Sequence, residues 1–357
     1  MSFTRSIFIT GFPGFIAGRL VERLASADTQ FFLLVQPQFV DTAMESVEKI
    51  SHARNVPLEN FALVEGDITK PNLGIAETDI DPITAEATDI FHLAAVYDLE
   101  VAKDLAYAVN LGGTKNVNEF ARSLRKLRRY SYVSTCYVAG KRKGRILETD
   151  LEHNAGFRNF YEETKYLAEM EVERLKKELP VTIFRPSIVV GDSKTGETAK
   201  YDGIYYLIHY LRRAPTLLRL INVGNTKVRL NLVPVDFVVE SMAALAFDES
   251  AEGETLALAD PAPLTTAELF DAIAAKLSGK PSAVTPPPRL IEVSLSTPIS
   301  PPITGLPLFG VPYFFIEQEY DTRESANQLL QHGIRCPRFG SYVGNLLNFV
   351  EKHPKLN

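Results

Sequence analysis

The stretch Thr10-Gly11-Phe12-Pro13-Gly14-Phe15-Ile16-Ala17-Gly18 decides the fold. It joins Ile7–Thr10, an apolar run that reads as a strand, to Phe15–Leu24, whose apolar residues recur at helical spacing. A strand that turns through glycines into a helix offers that helix's unpaired N–H groups and positive dipole end to an anion. Gly11 permits the tight turn, and Gly14 lets backbone N–H groups approach a pyrophosphate. Ala17 holds the third small position of a G-x-x-G-x-x-G spacing, and alanine still allows strand and helix to pack closely. Thr10, Gly11, Phe12, Pro13, Gly14, Phe15 and Ile16 are therefore expected to seat the pyrophosphate of a dinucleotide.

Downstream, further strand candidates are Phe31–Val35, Phe61–Glu65, Ile90–Ala94, Tyr130–Ser134 and Val181–Arg185. Two long helices are predicted between the last three, Val101–Leu124 and Tyr161–Leu179. Strand–helix alternation implies an α/β fold with a doubly wound parallel sheet. After Gly191 the pattern loosens. Leu230–Val233 and Val235–Phe247 read as a return to the main sheet. Thr265 or Thr266 is placed to cap a helix reaching Leu277, with Glu268 completing a capping box. A short helix near Tyr342–Lys352 closes the chain. The expected division is a dinucleotide-binding domain over 1–192 and 228–252, interleaved with a smaller substrate domain over 193–227 and 253–357.

The bulk properties suit a cytosolic enzyme. The 357 residues are 45% hydrophobic and 23% charged, enough for a sizeable core. A net charge of -6 gives no general affinity for nucleic acid. Two cysteines, Cys136 and Cys336, argue for a reducing compartment, and the six histidines show no metal-ligand spacing. No signal peptide is read at the N-terminus. Val293–Ile316 is uncharged and long enough to span a bilayer. Pro298, Pro301, Pro302, Pro307 and Pro312 interrupt it, so no transmembrane helix is expected. Three readings stand for it: an apolar excursion on the core, a wall for a greasy substrate, or a membrane-surface or partner contact.

The second strand ends at Gln36, where an acidic residue would bind a ribose hydroxyl and an arginine a 2′-phosphate. Gln36 does neither. Arg19, just inside the first helix, either reaches such a phosphate or stands in solvent, which tilts the expectation toward NADP(H) over NAD(H). Asp67 and Ile68 are placed for the adenine edge. Ala94 and Ala95 give a small-residue floor near the nicotinamide ribose.

Tyr161 and Lys165 are four apart at the start of a helix pattern, so both share one face. A free phenol, with pKa near 10, is a poor proton carrier at neutral pH. An ammonium roughly 5 Å away at an effective dielectric near 20 contributes about 3 kcal/mol, worth about two pKa units toward phenolate. The spacing alone is uninformative in a chain with 14 tyrosines, and Tyr137 with Lys141 repeats it. Gly140 interrupts that second pair, which follows a strand directly and belongs in a loop. Thr135 supplies a hydroxyl ahead of the first pair.

In family order, Thr10-Gly11-Phe-Pro-Gly14-Phe-Ile, Asp67-Ile68, Phe91-His-Leu-Ala-Ala95, Asn110-Leu-Gly-Gly-Thr114, Tyr132-Val-Ser-Thr135 and Tyr161-x-x-x-Lys165 occupy the first 190 or so residues. The chain resembles an extended short-chain dehydrogenase/reductase, with a Rossmann-type sheet. The resemblance implies a catalytic set of Thr135, Tyr161 and Lys165. It also implies that Asn110 supports a structural water or a helix bend, and that Arg185-Pro186-Ser187-Ile188 closes over the nicotinamide. Phe184-Arg-Pro-Ser-Ile-Val-Val-Gly-Asp-Ser-Lys-Thr-Gly-Glu197 and Gly333-Ile-Arg-Cys-Pro337 resemble the branch of fatty acyl-CoA reductases and thioester reductase domains. That branch often has a basic residue where this chain has Gln36. Relatives commonly form homodimers through the two long helices.

Lys141-Arg142-Lys143 with Arg145 is expected on the substrate side, where it either meets the phosphates of coenzyme A or an acidic carrier protein, or forms a solvated loop. The cluster from Arg122 to Arg129 ends a helix and reads as structural. The expected reaction is reduction of a lipid-like carbonyl (an acyl thioester, long-chain aldehyde or ketone), with Tyr161 as proton donor. A nucleotide-sugar epimerase or dehydratase with tightly bound NAD, and a non-catalytic dinucleotide sensor, are the alternatives.

Overall fold

The computed structural model describes residues 3–213, 219–298, 300–301 and 306–356. The first half alternates β1 (Arg5–Thr10), α1 (Phe15–Leu24), β2 (Thr29–Val35), α2 (Val40–Arg54), β3 (Phe61–Glu65), α3 (Glu77–Glu86) and β4 (Asp89–His92). There follow α4 (Lys103–Ala106), α5 (Thr114–Ser123), β5 (Arg129–Val133), β6 (Gly144–Ile146), α6 (Phe160–Leu175), β7 (Val181–Pro186) and β8 (Ile188–Val190). The remainder comprises α7 (Ile204–Arg213), β9 (Leu232–Pro234), α8 (Val235–Leu245), β10 (Thr255–Leu258), α9 (Thr266–Ser278), α10 (Pro288–Leu295), β11 (Gln318–Tyr320), α11 (Arg323–Gln331) and α12 (Phe339–Lys352).

Seven strands form one sheet in the order β10-β7-β5-β4-β1-β2-β3, all pairs parallel. Ile7, Phe8 and Ile9 are all buried, so both faces of β1 are covered and its sequence is continuously apolar rather than alternating. One apolar layer joins α1, α2 and α8 to the sheet, and the other joins α3, α5 and α6. Reversal of strand order at β1 and β4 opens a crevice at the strands' carboxyl ends, where α/β sheets bind ligands.

Three expectations need correction. Residues 232–234 do not rejoin the main sheet but pair with β8 in a separate two-stranded ribbon, while α8 does pack on α1. The seventh strand is β10, so the sheet takes residues from beyond the boundary at 252. Four residues closed by Asp260-Pro261 are too short for a periodicity signal. The helix predicted over 101–124 is broken by a π-helical segment, Tyr107–Gly113. Asn110 makes that distortion: its Oδ1 accepts from Val96 N at 2.8 Å, and its Nδ2 donates to Thr164 Oγ1 at 3.1 Å. Thr265 caps α9 with Glu268 in a full capping box.

A third core gathers α7, α9 and α12. The proline-rich segment adds a small cluster of Ile291, Leu295, Leu306 and Val311 against Tyr206, Val223, Phe314 and Phe315. Pro302 lies outside the described residues. Among those described, no helix is long and apolar enough to cross a membrane.

Candidate active site

The glycine turn fits a dinucleotide phosphate by three observations. Gly11 has φ +90°, and a Cβ there would stand 2.8 Å from Ala94 N. A Cβ on Gly14 would stand 2.6 Å from Gly11 O. Helix α1 has no side-chain cap and no acidic residue in its first turn, so its leading N–H groups face the crevice without competition. Thr10 Oγ1 accepts from Ala94 N at 3.1 Å, which locks the turn to the end of β4 where Ala95 follows. Ile68 is buried against Gly113, where a Cβ would come within 2.5 Å of Ile68 Cδ1. Asp67 Oδ1 accepts from Thr69 N and Oγ1 within its own turn.

The residues expected to face a 2′-phosphate are otherwise engaged. Arg19 donates to Asp192 Oδ2 at 3.1 Å and to Glu197 Oε2 at 2.7 Å. Asp192 begins a loop that Ser193 ties to Asp236 of α8, so two carboxylates draw Arg19 to the α8 side of α1. Gln36 Oε1 accepts from Gln38 Nε2 at 2.9 Å. The cation on which the NADP(H) expectation leaned is thus neutralised within the protein.

Thr135 follows β5 in an extended conformation and accepts from Tyr137 N at 3.1 Å. Helix α6 starts at Phe160 because Asn159 Oδ1 caps Glu162 N at 2.9 Å, with Glu162 and Glu163 complementing the dipole. That start sets Tyr161 in its first turn, beside Thr135. Burial raises the Tyr161 phenol well above its ordinary range, with the Thr135 hydroxyl opposing and Glu162 adding. The expected lowering by Lys165 is therefore corrected: burial sets the direction, and Tyr161 is a neutral phenol at pH 7.

Lys165 Nζ donates to Tyr132 OH and to Val133 O, both at 2.9 Å, and lies 4.4 Å from the Tyr132 ring centroid. Burial lowers its pKa to about 7, against the pull of Glu169. Tyr132 packs on His92, with ring centroids 5.5 Å apart. Thr114 Oγ1 donates to Asn110 O at 2.6 Å, so a lone pair remains for His92 Nε2 at 3.1 Å. Thr10 Oγ1 lies 2.7 Å from His92 Nδ1. This pattern assigns the proton to Nε2 and leaves Nδ1 to accept from Thr10. Burial, with Lys165 adding, depresses the His92 pKa to about 3, so the ring is neutral. A buried chain of hydrogen bonds thus runs from the glycine turn through His92 to Thr114 and Asn110, and the Tyr132 ring packs it against Lys165.

Ser134 donates to Glu169, which also binds Arg185 Nε at 2.9 Å and Nη2 at 2.5 Å. The Arg185 side chain therefore belongs to a buried ion pair beneath the site, and only Pro186, Ser187 and Ile188 remain at the rim. Ser187 Oγ is buried without a partner among the described residues, beside an open cleft shared with Tyr137, Tyr313 and Gln318. An orphaned hydroxyl at the end of β7 suits a carboxamide. Burial raises the Cys136 thiol, which donates to Arg185 O.

Tyr137 and Lys141 do not form a second catalytic pair. Gly140, at φ +56°, ends the turn between them. Tyr137 instead packs on Tyr313 with centroids 5.0 Å apart. Arg142 and Arg145 are committed to Asp150 and Asp321, leaving Lys141 and Lys143 exposed. Arg122, Arg125 and Arg129 pair with nearby carboxylates, in keeping with a structural role.

Sequence reasoning missed three contributors. His92 and Tyr132 lie inside quoted motifs, and a polar ring in an apolar strand was their only signal. Tyr313 OH donates to the buried Glu162 Oε1 at 2.7 Å, latching the proline-rich segment to the residue after Tyr161. No local pattern announces that contact.

A model of an NAD-binding family described as "Male sterility protein" matches residues 9–242. Fatty acyl-CoA reductase wat of Drosophila melanogaster is 25% identical over 280 residues, covering 68% of this chain and 54% of that protein. Fatty acyl-CoA reductase 1 of Arabidopsis thaliana is 24% identical over 322 residues, covering 70% of this chain and 64% of that protein. The chain thus spans less than two thirds of either relative. In fold it is similar to the terminal R domain from the myxalamid PKS-NRPS biosynthetic pathway, with a TM-score of 0.82 and 23% identity over 99% of this chain and 92% of that one.

Proposed function

Since this chain belongs to the male sterility protein family, we propose that it is a nicotinamide-dependent reductase acting on a lipid-like carbonyl, either an acyl thioester, a long-chain aldehyde or a ketone. The reduced nicotinamide supplies the hydride. Thr10 to Ile16 would hold the pyrophosphate, Asp67 and Ile68 the adenine, and Ala94, Ala95 and Lys165 the nicotinamide ribose. Pro186, Ser187 and Ile188 would hold the carboxamide. Charge at the 2′-position favours neither NADP(H) nor NAD(H), because Arg19 is bound by Asp192 and Glu197.

The observation that carries this reading is that the fold brings the buried Tyr161 phenol close enough to the Thr135 hydroxyl for the two to interact. Both hydroxyls bind the carbonyl oxygen. As that oxygen gains electrons, Tyr161 gives it a proton; an alkoxide is basic enough to take one even from a phenol of raised pKa. The nearby Lys165 charge stabilises the phenolate left behind. Asn110, through Thr164, fixes the helix that carries Tyr161 and Lys165. A thioester reduced in this way gives a hemithioacetal, which expels its thiol and leaves the aldehyde.

Absorbance at 340 nm tests the proposal. Loss of NADPH or NADH is expected with dodecanal or dodecanoyl-CoA. If a panel of such substrates is inert while a nucleotide sugar turns over on tightly retained NAD, the reading is wrong.

A further inference from the structure

A second pocket, of about 460 Å³ with its opening to solvent included, lies between α7, the turn at Val223–Gly224, the start of α9 and the proline-rich segment. Its walls include Tyr206, Tyr210, Val223, Leu295, Leu306 and Phe314, and among the described residues that line it none is charged. Thr266 also borders it, but its hydroxyl already accepts from Asn225 N at 2.7 Å. Gly224 keeps one wall bare: a Cβ there would come within 2.5 Å of Ala267 Cα. An uncharged cavity of this size gains little from water and much from an apolar guest, about 0.8 kcal/mol for each methylene buried.

Two routes join this cavity to Tyr161. The Tyr97 ring stands edge-on to Tyr161, with centroids 5.3 Å apart, and its hydroxyl lies within electrostatic reach of Tyr206 and Asp202. Tyr206 is itself a cavity wall. On the other side, Tyr313 and Phe314 are consecutive. Tyr313 is hydrogen-bonded to Glu162, next to Tyr161, while Phe314 lines the cavity. Tyr206 and Phe314 thus tie the cavity wall to residues that contact Tyr161 or its neighbour Glu162.

We propose that this cavity is the binding site for the substrate's unbranched acyl or alkyl chain, and that Leu295, Leu306 and Phe314 form its specificity-determining wall. The proposal rests on the reductase reading above.

The chain contains no tryptophan, so Phe314→Trp places a single fluorophore in the wall. Titration of that variant with 12-bromododecanol, whose bromine quenches on contact, is expected to give saturable quenching, and 2-bromoethanol at the same concentrations none. Should Phe314→Trp not fold, Leu295→Trp provides the same probe from the opposite wall. Absence of saturable quenching overturns the chain site whether or not the protein turns substrate over. Inertness toward every lipid carbonyl removes the reductase reading, and quenching is still measured. Val223→Phe, which narrows the cavity, should lower the ratio of kcat/KM for dodecanal over butanal by about tenfold, the loss of roughly two buried methylenes. An unchanged ratio also overturns the proposal.

Discussion

Tyr132→Phe removes one oxygen from a fully buried ring and leaves the packing in place. That oxygen is one of two partners of the Lys165 ammonium, the other being Val133 O. A hydrogen bond to a buried charge is worth about 1.5–3 kcal/mol, and each pKa unit corresponds to about 1.4 kcal/mol. Loss of the bond should therefore drop the Lys165 pKa, already lowered to about 7 by burial, by about one to two units. The sign follows from the charge: the ammonium is present below its pKa and lost as pH rises through it. The pH profile of kcat/KM for dodecanal, followed at 340 nm with saturating reduced cofactor, should thus fall above about pH 7 in the parent protein. In Tyr132→Phe the same limb should lie one to two units lower, with activity recovering as the pH is reduced. A purely structural role for Tyr132 would scale the profile without moving it. A limb that stays in place in a well-folded variant would refute the reasoning.

Acid sensitivity offers a second check. The His92 pKa is about 3 in the folded state and near 6.5 when unfolded, so the unfolded chain binds this proton first and stability falls as pH drops below about 6.5. His92→Asn should make the slope of unfolding free energy against pH, measured by urea denaturation between about pH 6 and 4, shallower by about 1.4 kcal/mol per unit. An identical slope would mean that His92 is not held neutral. Arg185→Met should cost about 3–5 kcal/mol by stranding Glu169, and Arg185→Met with Glu169→Met should recover most of it; a double variant as unstable as the single would contradict the buried-pair account. Arg19→Ala should leave the ratio of kcat/KM for NADPH over NADH unchanged, and a tenfold fall would show that Arg19 leaves its carboxylates for the cofactor.

The parallel sheet was legible because its strands are buried on both faces. Runs such as Ile7–Thr10 and Val181–Arg185 therefore carry an apolar signal independent of context. The glycine turn was legible because Gly11 answers a local backbone demand. Tyr161 and Thr135, 26 positions apart, could be joined only through the order of elements, which the motif sequence supplied. What escaped depends on partners distant in sequence. Arg19 meets Asp192 and Glu197 across the fold, and no local feature distinguishes a bound arginine from one awaiting a phosphate. Strand β10 exists because β7 presents an edge to it, not because four residues specify a strand. The pKa of Tyr161 was misjudged because a pairwise attraction was weighed without the burial that the completed fold imposes.

The most direct measurement concerns proton delivery by Tyr161. Reduced cofactor and dodecanal, mixed with an excess of enzyme, should show a single turnover at 340 nm that slows at least about 100-fold in Tyr161→Phe, the usual scale for a lost acid/base group. Cofactor affinity, read separately by nucleotide fluorescence, should change little. A Tyr161→Phe protein that binds cofactor and turns over at near-normal rate would contradict the account.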